Sequence, residues 1–583
     1  MNALAKALPC LTWLHDYRRS DLGGDLIAAL IVTIMLIPQS LAYALLAGVP
    51  AEMGLYATIL PLVAYALFGT SRTLSVGPVA VISLMTATAV GDVVSRTGAD
   101  YVSASVALAM LSGLLLVAMG LLRFGFLVNF LSHPVVAGFI TASGIIIAVG
   151  QLRHLLGVDA HGDNLLVLGS SLARGITDTN SVTLALGGLA IAILLLARYR
   201  LKPALSRLGL SPRLSDFVCK SSPVVVVILT SLLAWSLSLA DRGVALVGSV
   251  PSGLPALSLP VFDPALWLEL LDSALLISII GYVESVSVGK TLAAKRRQRI
   301  DANQELIGLG AANLASSVSG GFPVTGGFSR SVVNFDAGAV TPAAGLFAAG
   351  GIALAAMFLT PFLYYLPNAT LAAVIIVAVW QLIDFSHLTR AWRYARADFL
   401  AIAITIGVTL VQGVEMGVLC GVAASIVLHL YETSRPHMAV VGEVPGTEHF
   451  RNIERHKVVT HDNILSLRVD ESLYFANATY IEDAIYRLVA ENPGVTDVVL
   501  MCPAVNAIDL SALESLESVN QQLDESGVRL HLSEVKGPVM DCLRKTDFVE
   551  HLSGEIFLTQ HQAIETLSKK QSSRHLTLAS QAS

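Results

Sequence analysis

Charged residues are scarce in this chain of 583 residues. Only 14% are Asp, Glu, Lys or Arg and 54% are hydrophobic, whereas ordinary soluble domains carry about 25% charged residues. Such a deficit over so long a chain indicates a polytopic membrane protein. The deficit is uneven, because 13 of the 37 Lys and Arg residues follow Leu430. The sequence therefore predicts a transmembrane domain over 21–431, a soluble domain over 437–570 and a disordered tail over 571–583.

Other absences exclude further classes of protein. The five cysteines are scattered, without a CxxC pair or a histidine at ligand spacing, which argues against a disulfide framework and a zinc site. No GxxxxGK(S/T) motif supports a nucleotide-cleaving enzyme, and the net charge of −6 gives no sign of nucleic-acid binding. The chain is expected to be no enzyme and to need no cofactor. Residues 1–20 lack a clear signal-peptide pattern and are predicted to be a cytoplasmic N-terminus.

Long apolar runs fill most of the first 431 residues. A helix needs about 20 apolar residues to cross the hydrocarbon core. Full-length candidates begin near Gly24, Gly54, Ala104, Pro134, Ser181, Pro223, Leu270, Asn303, Gly338, Asn368, Asp398 and Gly413. Two more segments, Val79–Val90 and Val324–Phe335, are too short to span. The sequence thus predicts fourteen segments.

Basic residues between the segments set the predicted orientation, because cytoplasmic loops carry an excess of Lys and Arg. With the N-terminus inside, the inner loops 198–220, 290–299 and 384–398 hold most of the positive charge, including Arg213 and Lys220. The outer loops hold only Arg96, Arg153, Arg174 and Arg242. Since fourteen is an even number, the soluble domain is predicted to be cytoplasmic too.

The two halves of the membrane region resemble each other. Segments 1 and 8 lie 245 residues apart, and that offset places Gln39 opposite Glu284 and Pro78 opposite Pro323. The short segments are the third and the tenth, so they correspond as well. Because seven is odd, repeat 1 (about 21–240) and repeat 2 (about 265–431) must be inverted relative to each other. Interrupted segments at matching positions indicate a transporter's binding site.

The two short segments are predicted half-helices that begin inside the bilayer. Each leaves its first N–H groups unpaired and points the positive end of its dipole at the midplane, so two facing each other form an anion site. Gly77-Pro78 suits the first, because proline is tolerated in a first helical turn. Gly326-Gly327 suits the second, with close backbone approach and Ser329 as N-cap. That helix is expected to begin between Val324 and Ser329.

Arg330 is isolated in this apolar region, with Arg299 and Arg390 as the nearest basic residues. Intramembrane charges usually face the bundle interior and mark a pathway, which favours an anion as its ligand. The alternative is a structural arginine, paired with Glu284 or with carbonyls of the broken helix. The two interpretations are compatible.

Three other polar residues lie at a similar depth. Glu284 is near mid-span, where a carboxylate is costly to ionise, so it is a candidate proton carrier, a fixed partner of Arg330 or a neutral acid. Gln39 follows Pro38, which must disturb the helix, and its amide either binds substrate or caps the kink. Tyr43, one turn later, lines the site or belongs to the core.

The soluble domain shows alternating strand and helix patterns. Strands are predicted over Ile464–Val469, Thr496–Cys502 and Val528–Val535, and helices over Ala478–Glu491, Ser511–Glu525 and Val539–Val549. This alternation is typical of a small α/β domain.

Several stretches together resemble one family. IPQSLAYALLAG (37–48), GTSRTLSVGPVAVISLM (69–85), GGFSRSVVN (326–334) and the α/β domain are similar to the sulfate permease family, relatives of prestin and pendrin. The resemblance covers roughly residues 20–570. It implies a seven-plus-seven inverted repeat like that of the uracil transporters, with core and gate domains. It also implies a cytoplasmic STAS domain and a homodimer.

The resemblance further implies which residues bind substrate: Gln39, Tyr43, Pro78, Val79, Glu284, Phe328, Ser329, Arg330 and Ser331. Position 79 is often Phe in animal members, so Val79 leaves a roomier wall. Cyanobacterial sodium–bicarbonate members lack the arginine and carry Asp in span 8, so Arg330 and Glu284 look closer to the proton-coupled sulfate carriers. Ser511 stands where related STAS proteins carry a phosphorylatable serine and is a regulatory candidate.

The expected function is secondary active transport of an inorganic anion across a bacterial inner membrane. Proton-coupled sulfate uptake by an elevator-type movement is the favoured form, with Glu284 as the coupling residue. Bicarbonate or dicarboxylate symport, anion exchange and coupling to Na+ stay open, as does an anion-responsive sensor that signals through the STAS domain. Expected partners are sulfate, bicarbonate or chloride, the lipid bilayer, a second copy of the chain and a cytoplasmic protein bound to the STAS domain.

Overall fold

The structure is a computed structural model that describes residues 8–581 apart from 130–131, 161, 163, 208–214, 216–217, 220, 250, 252 and 261. Residues 1–7 of the predicted N-terminal segment, Arg213 and Lys220 of a predicted inner loop, and the final two residues of the tail lie outside the described residues. The chain divides into two compact units, residues 1–425 and 426–583.

Each of the fourteen predicted segments contains a helix, and these helices are spans 1 to 14 below. In chain order they are Arg19–Leu46, Ala51–Phe68, Ala80–Thr97, Tyr101–Leu121, His133–Leu156, Ser181–Leu196, Ser222–Ser236, Pro264–Lys295, Ala302–Val318, Phe328–Asp336, Ala343–Phe358, Asn368–Val379, Arg396–Gln412 and Val414–Ser434. Within the described ranges, seven are long and apolar enough to cross a membrane: spans 1, 2, 4, 5, 6, 8 and 14. Short helices connect or precede them, among them Cys10–His15, Leu165–Gly175, Lys202–Arg207 and Ser386–Tyr394.

Aspartates begin three of the long spans. Asp100 accepts a hydrogen bond from the Ser103 amide at 2.8 Å, and Asp263 one from the Ala265 amide at 3.0 Å. Asp301 accepts from the amides of residues 303 and 304 in the same way. An N-cap carboxylate satisfies orphan N–H groups and suits the positive end of the helix dipole, so these residues fix where spans 4, 8 and 9 start.

The spans pack in two groups. Spans 1–4 contact spans 8–11, while spans 5, 6, 7, 12 and 13 contact mainly one another. Small residues allow the closest approach. A Cβ atom at Gly113 of span 4 would lie 2.8 Å from Leu314 of span 9, and one at Gly310 of span 9 would lie 2.6 Å from Val117 of span 4. Such small-residue contacts are typical of membrane helices, and the grouping agrees with the predicted core and gate domains.

The two interrupted segments differ in length more than the sequence predicts. Span 10 has nine residues, but span 3 continues to Thr97 and has eighteen. The prediction that this segment ends near Val90 is therefore wrong. Gly91 does not stop the helix, and the stop is Gly98, whose φ of 69° gives the left-handed C-cap.

The membrane unit contains two short strands, β1 (Val76–Gly77) and β2 (Thr325–Gly326). The strands of the second unit are β3 (Met438–Glu443), β4 (Phe450–Asn452), β5 (Ile464–Val469), β6 (Asp497–Met501), β7 (Arg529–Ser533) and β8 (Ile556–Phe557). They form one six-stranded sheet with the order β4-β3-β5-β6-β7-β8. Strands β5 to β8 are parallel, and β3 pairs antiparallel with β5 and β4. The helices of this unit are Ala478–Glu491, Leu510–Glu525, Gly537–Leu543, Phe548–His551 and Gln560–Gln581.

The predicted α/β domain is confirmed, with two local corrections. The single helix predicted over Val539–Val549 is two helices, because the chain turns before Asp547 and starts again at Phe548. The tail predicted to be disordered is helical as far as Gln581. No Pro or Gly interrupts the chain from Gln560 to this point, so nothing local ends the helix.

Candidate functional site

Two very short strands bring the interrupted spans together. Strand β1 (Val76–Gly77) precedes span 3, strand β2 (Thr325–Gly326) precedes span 10, and the two pair antiparallel. The Gly327 amide extends the ladder by donating to the Ser75 carbonyl at 3.2 Å. Because the pairing is antiparallel, the two half-helices begin side by side and run in opposite directions.

This pairing corrects the predicted correspondence between the repeats at one point. The offset of 245 residues relates the starts of spans 1 and 8, but β2 begins 249 residues after β1. Pro78 therefore corresponds to Gly327 and not to Pro323, since each is the first residue after its strand. The extra residues of the second repeat lie in span 8, which has 32 residues against 28 in span 1, and in the loop that follows it.

In neither half-helix does the side chain of the N-cap residue accept a hydrogen bond from the first N–H groups. Val79 caps span 3 and Gly327 caps span 10, both with extended backbone and no side-chain hydrogen bond. The prediction of Ser329 as N-cap is wrong, because it is the second helical residue. Pro78 likewise precedes the cap and lies outside the first turn. With no capping side chain, the first N–H groups remain available to a ligand.

Arg330 lies between the two helix starts and is only 3% exposed. Its Nη2 donates to the Gly77 carbonyl at 3.1 Å and to the Thr325 carbonyl at 3.5 Å. Its Nη1, also buried, makes no hydrogen bond with any residue that the structure describes. A buried charged donor without a partner is rare in folded proteins, and here it lies beside two positive helix ends.

Glycine is required on both sides of this guanidinium. A Cβ atom at Gly77 would lie 2.9 Å from Nη1, and one at Gly327 would lie 2.7 Å from Nε. Both distances are shorter than van der Waals contact. The two glycines therefore leave the room that Arg330 occupies.

Glu284 is half-buried on span 8, and its charge interacts with that of Arg330. The two side chains nevertheless form no ion pair, and Glu284 makes no hydrogen bond to the described part of the chain. Its other neighbours are apolar side chains of spans 5 and 14, including Phe139 and Val418, around a very small cavity. The alternative prediction is a structural arginine paired with Glu284 or with backbone carbonyls. Of these two kinds of partner, the structure shows only the carbonyls.

Gln39 and Tyr43 of span 1 are both buried, at 7% and 8% exposure. The Tyr43 ring lies near enough to Arg330 and Glu284 to interact with their charges. Neither side chain hydrogen-bonds to a described residue, although both carry groups able to do so. They are free to bind a ligand beside Arg330.

The remaining predicted site residues divide into two sets. Phe328, 53% exposed, and Ser329 are open at the start of span 10, and Val79 is half-buried at the start of span 3. Ser331 belongs to the scaffold, because its hydroxyl donates to the Gly327 carbonyl at 2.7 Å and accepts from the Ser75 amide at 3.0 Å. It holds the two strands together and has little bonding capacity left for substrate.

Span 8 supports the second strand through residues that the sequence did not single out. Ser285 Oγ lies 2.7 Å from Thr325 Oγ1 and accepts from the Gly326 amide at 2.8 Å. Thr325 also donates to the Gly281 carbonyl at 2.7 Å. Ser285 is adjacent to Glu284 in the sequence, so the same turn of span 8 carries the acid and holds the arginine's strand in place.

A second missed residue is Glu305, which is fully buried at the start of span 9. It accepts hydrogen bonds from Tyr65 Oη at 2.6 Å, from the amide and hydroxyl of Thr70, and from the Ser71 amide at 3.1 Å. From sequence, the helix dipole alone accounts for an acid in a first helical turn. In the structure it fixes the loop that leads from span 2 to β1.

In the second unit, Ser511 is exposed in the first turn of the helix Leu510–Glu525. Asp509 caps that helix, accepting from the Ala512 amide at 2.9 Å. The predicted regulatory serine is thus accessible, and it stays a prediction.

Comparison with known proteins identifies the family. The Sulfate permease family model matches residues 22–405, and the STAS domain model matches residues 455–563. The chain belongs to the sulfate permease family. Its relatives there are transporters, which confirms that the chain is not an enzyme.

Relatives extend this similarity over nearly the whole chain. It is 35% identical over 572 residues to the protein named Sulfate transporter 4.1, chloroplastic, from Arabidopsis thaliana, covering 96% of this chain and 82% of that protein. It is 31% identical over 580 residues to High affinity sulfate transporter 2 from Stylosanthes hamata, covering 96% and 86%.

Solved structures share the fold. The murine Solute Carrier 26 family member A9 anion transporter superposes with a TM-score of 0.85 at 22% identity, over 97% of this chain and 94% of that one. The transmembrane domain of the cyanobacterial bicarbonate transporter BicA superposes with a TM-score of 0.59, also at 22% identity, over 70% and 98%. The predicted multi-pass helical membrane protein with a STAS domain is confirmed.

Proposed function

We propose that this protein is a secondary active transporter of an inorganic oxyanion, with sulfate as its substrate. The observation that carries the proposal is Arg330, a buried guanidinium between two uncapped helix starts, whose Nη1 lacks a partner among the described residues. The charge of the guanidinium, its unpaired N–H group and the positive ends of the two helices each attract an anion. The names of the two plant relatives described above, both sulfate transporters, support sulfate as the anion.

The arrangement of donors suits a tetrahedral oxyanion. The guanidinium offers a planar fork, which matches two oxygens of such an anion. Backbone N–H groups at the starts of spans 3 and 10 offer donors on either side, and the Gln39 amide and Tyr43 hydroxyl are free nearby. Phe328 and Val79 add apolar surface beside these donors.

Glu284 is the proposed proton carrier. When no anion is bound, the positive charge of Arg330 favours the ionised carboxylate, although half-burial among apolar side chains opposes it. An arriving sulfate neutralises Arg330 and removes that support. Glu284 then takes up a proton, so anion and proton move together.

The two groups of spans suit an elevator-type movement. Spans 3 and 10 carry the helix starts and belong to the same group as span 8, so the ligand residues would travel together past spans 5–7, 12 and 13. We place both termini in the cytoplasm on the distribution of basic residues, and we propose a bacterial inner membrane as the location. A homodimer and a cytoplasmic protein bound to the STAS domain complete the proposal.

Uptake of radiolabelled sulfate into proteoliposomes tests this function. We expect uptake that increases with an imposed inward proton gradient and persists without Na+. A protein that binds sulfate without any flux would be a sensor. Flux indifferent to the proton gradient but dependent on Na+ would refute proton coupling and leave anion transport standing.

A further inference from the structure

A second positively charged cavity lies away from Arg330, at the end of the membrane unit that carries the N-terminal helix. Its volume is about 370 Å³. The short helix Cys10–His15 forms one wall, and the loops after spans 2 and 8 form the others. The polar side chains that line it include Arg72, Gln298, Arg299 and Thr70, and Trp13 supplies an apolar wall.

The two arginines of this cavity have no acidic partner among the described residues. Neither Arg72 nor Arg299 makes an ion pair or a side-chain hydrogen bond with any residue in the described ranges, and both are exposed. The charge of Arg72 also interacts with that of Arg296, a third arginine of the same region. Like charges this close oppose each other, and an anion between them removes that cost.

Three other charged groups of this region, one basic and two acidic, are already bonded. Arg296 donates to the Phe335 carbonyl at 3.2 Å and stacks on the Phe335 ring, with 4.3 Å from its Cζ to the ring centroid. Asp25 is buried and accepts from the Val340 amide at 2.7 Å and from the amide and hydroxyl of Thr341. Asp301 is committed to capping span 9. The positive charge of the cavity is therefore not balanced from within these loops.

Both arginine-bearing loops are held in place. The amide and hydroxyl of Thr70, two residues before Arg72, donate to the buried Glu305 at 2.8 and 2.5 Å. The amide of Asp301, two residues after Arg299, donates to the same Thr70 hydroxyl at 3.2 Å. One hydrogen-bond network thus fixes both loops, so little conformational entropy is lost when a ligand binds to them.

The helix beside this cavity leaves apolar side chains uncovered. The helix Cys10–His15 buries Trp13, whose indole N–H donates to the Ala66 carbonyl at 3.1 Å. Its other face exposes Leu11 and Leu14, at 43% and 53%. Exposed leucines next to a basic cavity suit the bilayer interface, where the headgroups of anionic lipids lie.

We propose that the cavity binds a phosphate group, either as inorganic phosphate or as the headgroup of an anionic phospholipid. Two arginines and an amide are the groups that recognise such an oxyanion. The site is separate from Arg330, and the proposal does not depend on what Arg330 binds.

Hydrogen exchange on the purified full chain tests it. In one arm, phosphate is titrated in detergent against potassium chloride of equal ionic strength. In the other, the protein is placed in nanodiscs of phosphatidylcholine, with or without phosphatidylglycerol. We expect phosphate groups to protect the loops 69–72 and 298–301. The variant Arg72→Gln/Arg299→Gln should lose that protection, with a half-saturating concentration raised about tenfold or more.

The matched control is Arg390→Gln/Arg393→Gln, which removes two exposed arginines from the helix Ser386–Tyr394. It should respond as the parent does, and so should Arg330→Ala. Protection in detergent identifies free phosphate as a ligand, and protection only with phosphatidylglycerol identifies the lipid; either supports the site. Protection in neither arm, or equal protection in the two double variants, would overturn it.

Discussion

Charge is buried in both units of this chain, and two of these sites treat it in opposite ways. In the sheet of the second unit, Asp497 is 1% exposed and accepts from Arg529 at 2.6 Å, from His531 at 3.1 Å and from Thr496 at 2.7 Å. The other ring nitrogen of His531 accepts from the Glu555 amide at 2.9 Å. In the membrane unit, Arg330 is buried to a similar degree but contacts only carbonyls and keeps one nitrogen unpaired among the described residues.

The difference separates structural charge from functional charge. Burial by itself would raise the pKa of Asp497, but the hydrogen bonds from His531 and Thr496 and the charge of Arg529 outweigh it and lower that pKa to about 2. A buried group with every bond made holds its strands in one arrangement. A buried group with incomplete hydrogen bonds still allows the protein to fold, and a ligand that supplies the missing partner stabilises it. Satisfaction of hydrogen bonds therefore distinguishes the two roles better than burial does.

The largest effect is expected from Arg330→Ala. It removes the full charge of the site, so sulfate binding should weaken about a hundredfold or more, while the folded protein stays intact because no acidic partner is left unpaired. Arg330→Lys should restore binding only in part, because an ammonium lacks the planar fork. Calorimetric binding and thermal unfolding of the full chain would measure both properties. Normal sulfate transport by the alanine variant would make Arg330 structural.

Glu284→Gln should separate binding from coupling. The amide imitates the protonated acid, so the variant should bind sulfate at least as tightly as the parent. It should fail to accumulate sulfate when an inward proton gradient is imposed on proteoliposomes. The control is exchange of internal for external sulfate without a gradient, which should continue. Accumulation at the parent level would place the coupling proton on another group.

Asp497→Ala should show the opposite pattern to Arg330→Ala. It leaves Arg529 and His531 without their acceptor, and breaking a buried pair costs about 3–5 kcal/mol. We expect the peptides of β6 and β7 to lose hydrogen-exchange protection at a lower urea concentration, with sulfate affinity unchanged. The matched control is Glu565→Ala, which breaks an exposed contact with Lys569. It should change the urea concentration at which half of the protection is lost, the urea midpoint, only a little. Equal midpoints in the two variants would deny Asp497 its structural role.

The smallest effect is a pH dependence of the same strands. The folded pKa of Asp497 lies below its unfolded value of about 3.9, so its contribution is present above about pH 4 and is lost as the pH falls towards 2. The loss should be about 2 kcal/mol. The difference in urea midpoint between the parent and Asp497→Asn, followed at β6, should shrink over that window. A constant difference would show that Asp497 is not the group that titrates.

The sequence predicts those parts of the site that depend on local pattern. Hydropathy locates all fourteen segments, and the isolated Arg330 marks the interrupted one because a charge in apolar surroundings is costly and is usually kept for function. Strand β5 and the helix Ala478–Glu491 have the predicted bounds, since alternation and helical periodicity are clear there.

Features that depend on partners distant in the chain are not predictable in this way. Two-residue strands such as β1 and β2 carry no periodicity, so neither their pairing nor the register shift at Pro78 could be derived from sequence. Serine is a favourable N-cap residue, but the pairing of Gly326 places the N-cap at Gly327, two residues before Ser329. Glu305 looks like an ordinary first-turn acid until the fold brings Tyr65 and Thr70 to it.

The pairing of β1 with β2 also has a consequence for how the protein is made. Thr325 leaves the ribosome 248 residues after its partner Gly77, which at about 5–20 residues per second is an interval of about 10–50 s. Throughout that time the first half-helix waits in the bilayer without its strand partner, although unpaired backbone groups cost several kcal/mol there. The nascent first repeat must therefore be sheltered by water, by the insertion machinery or by its own neighbouring helices. A chain that stops before β2 would keep β1 unpaired in the membrane, and we expect cellular quality control to recognise its unpaired backbone groups.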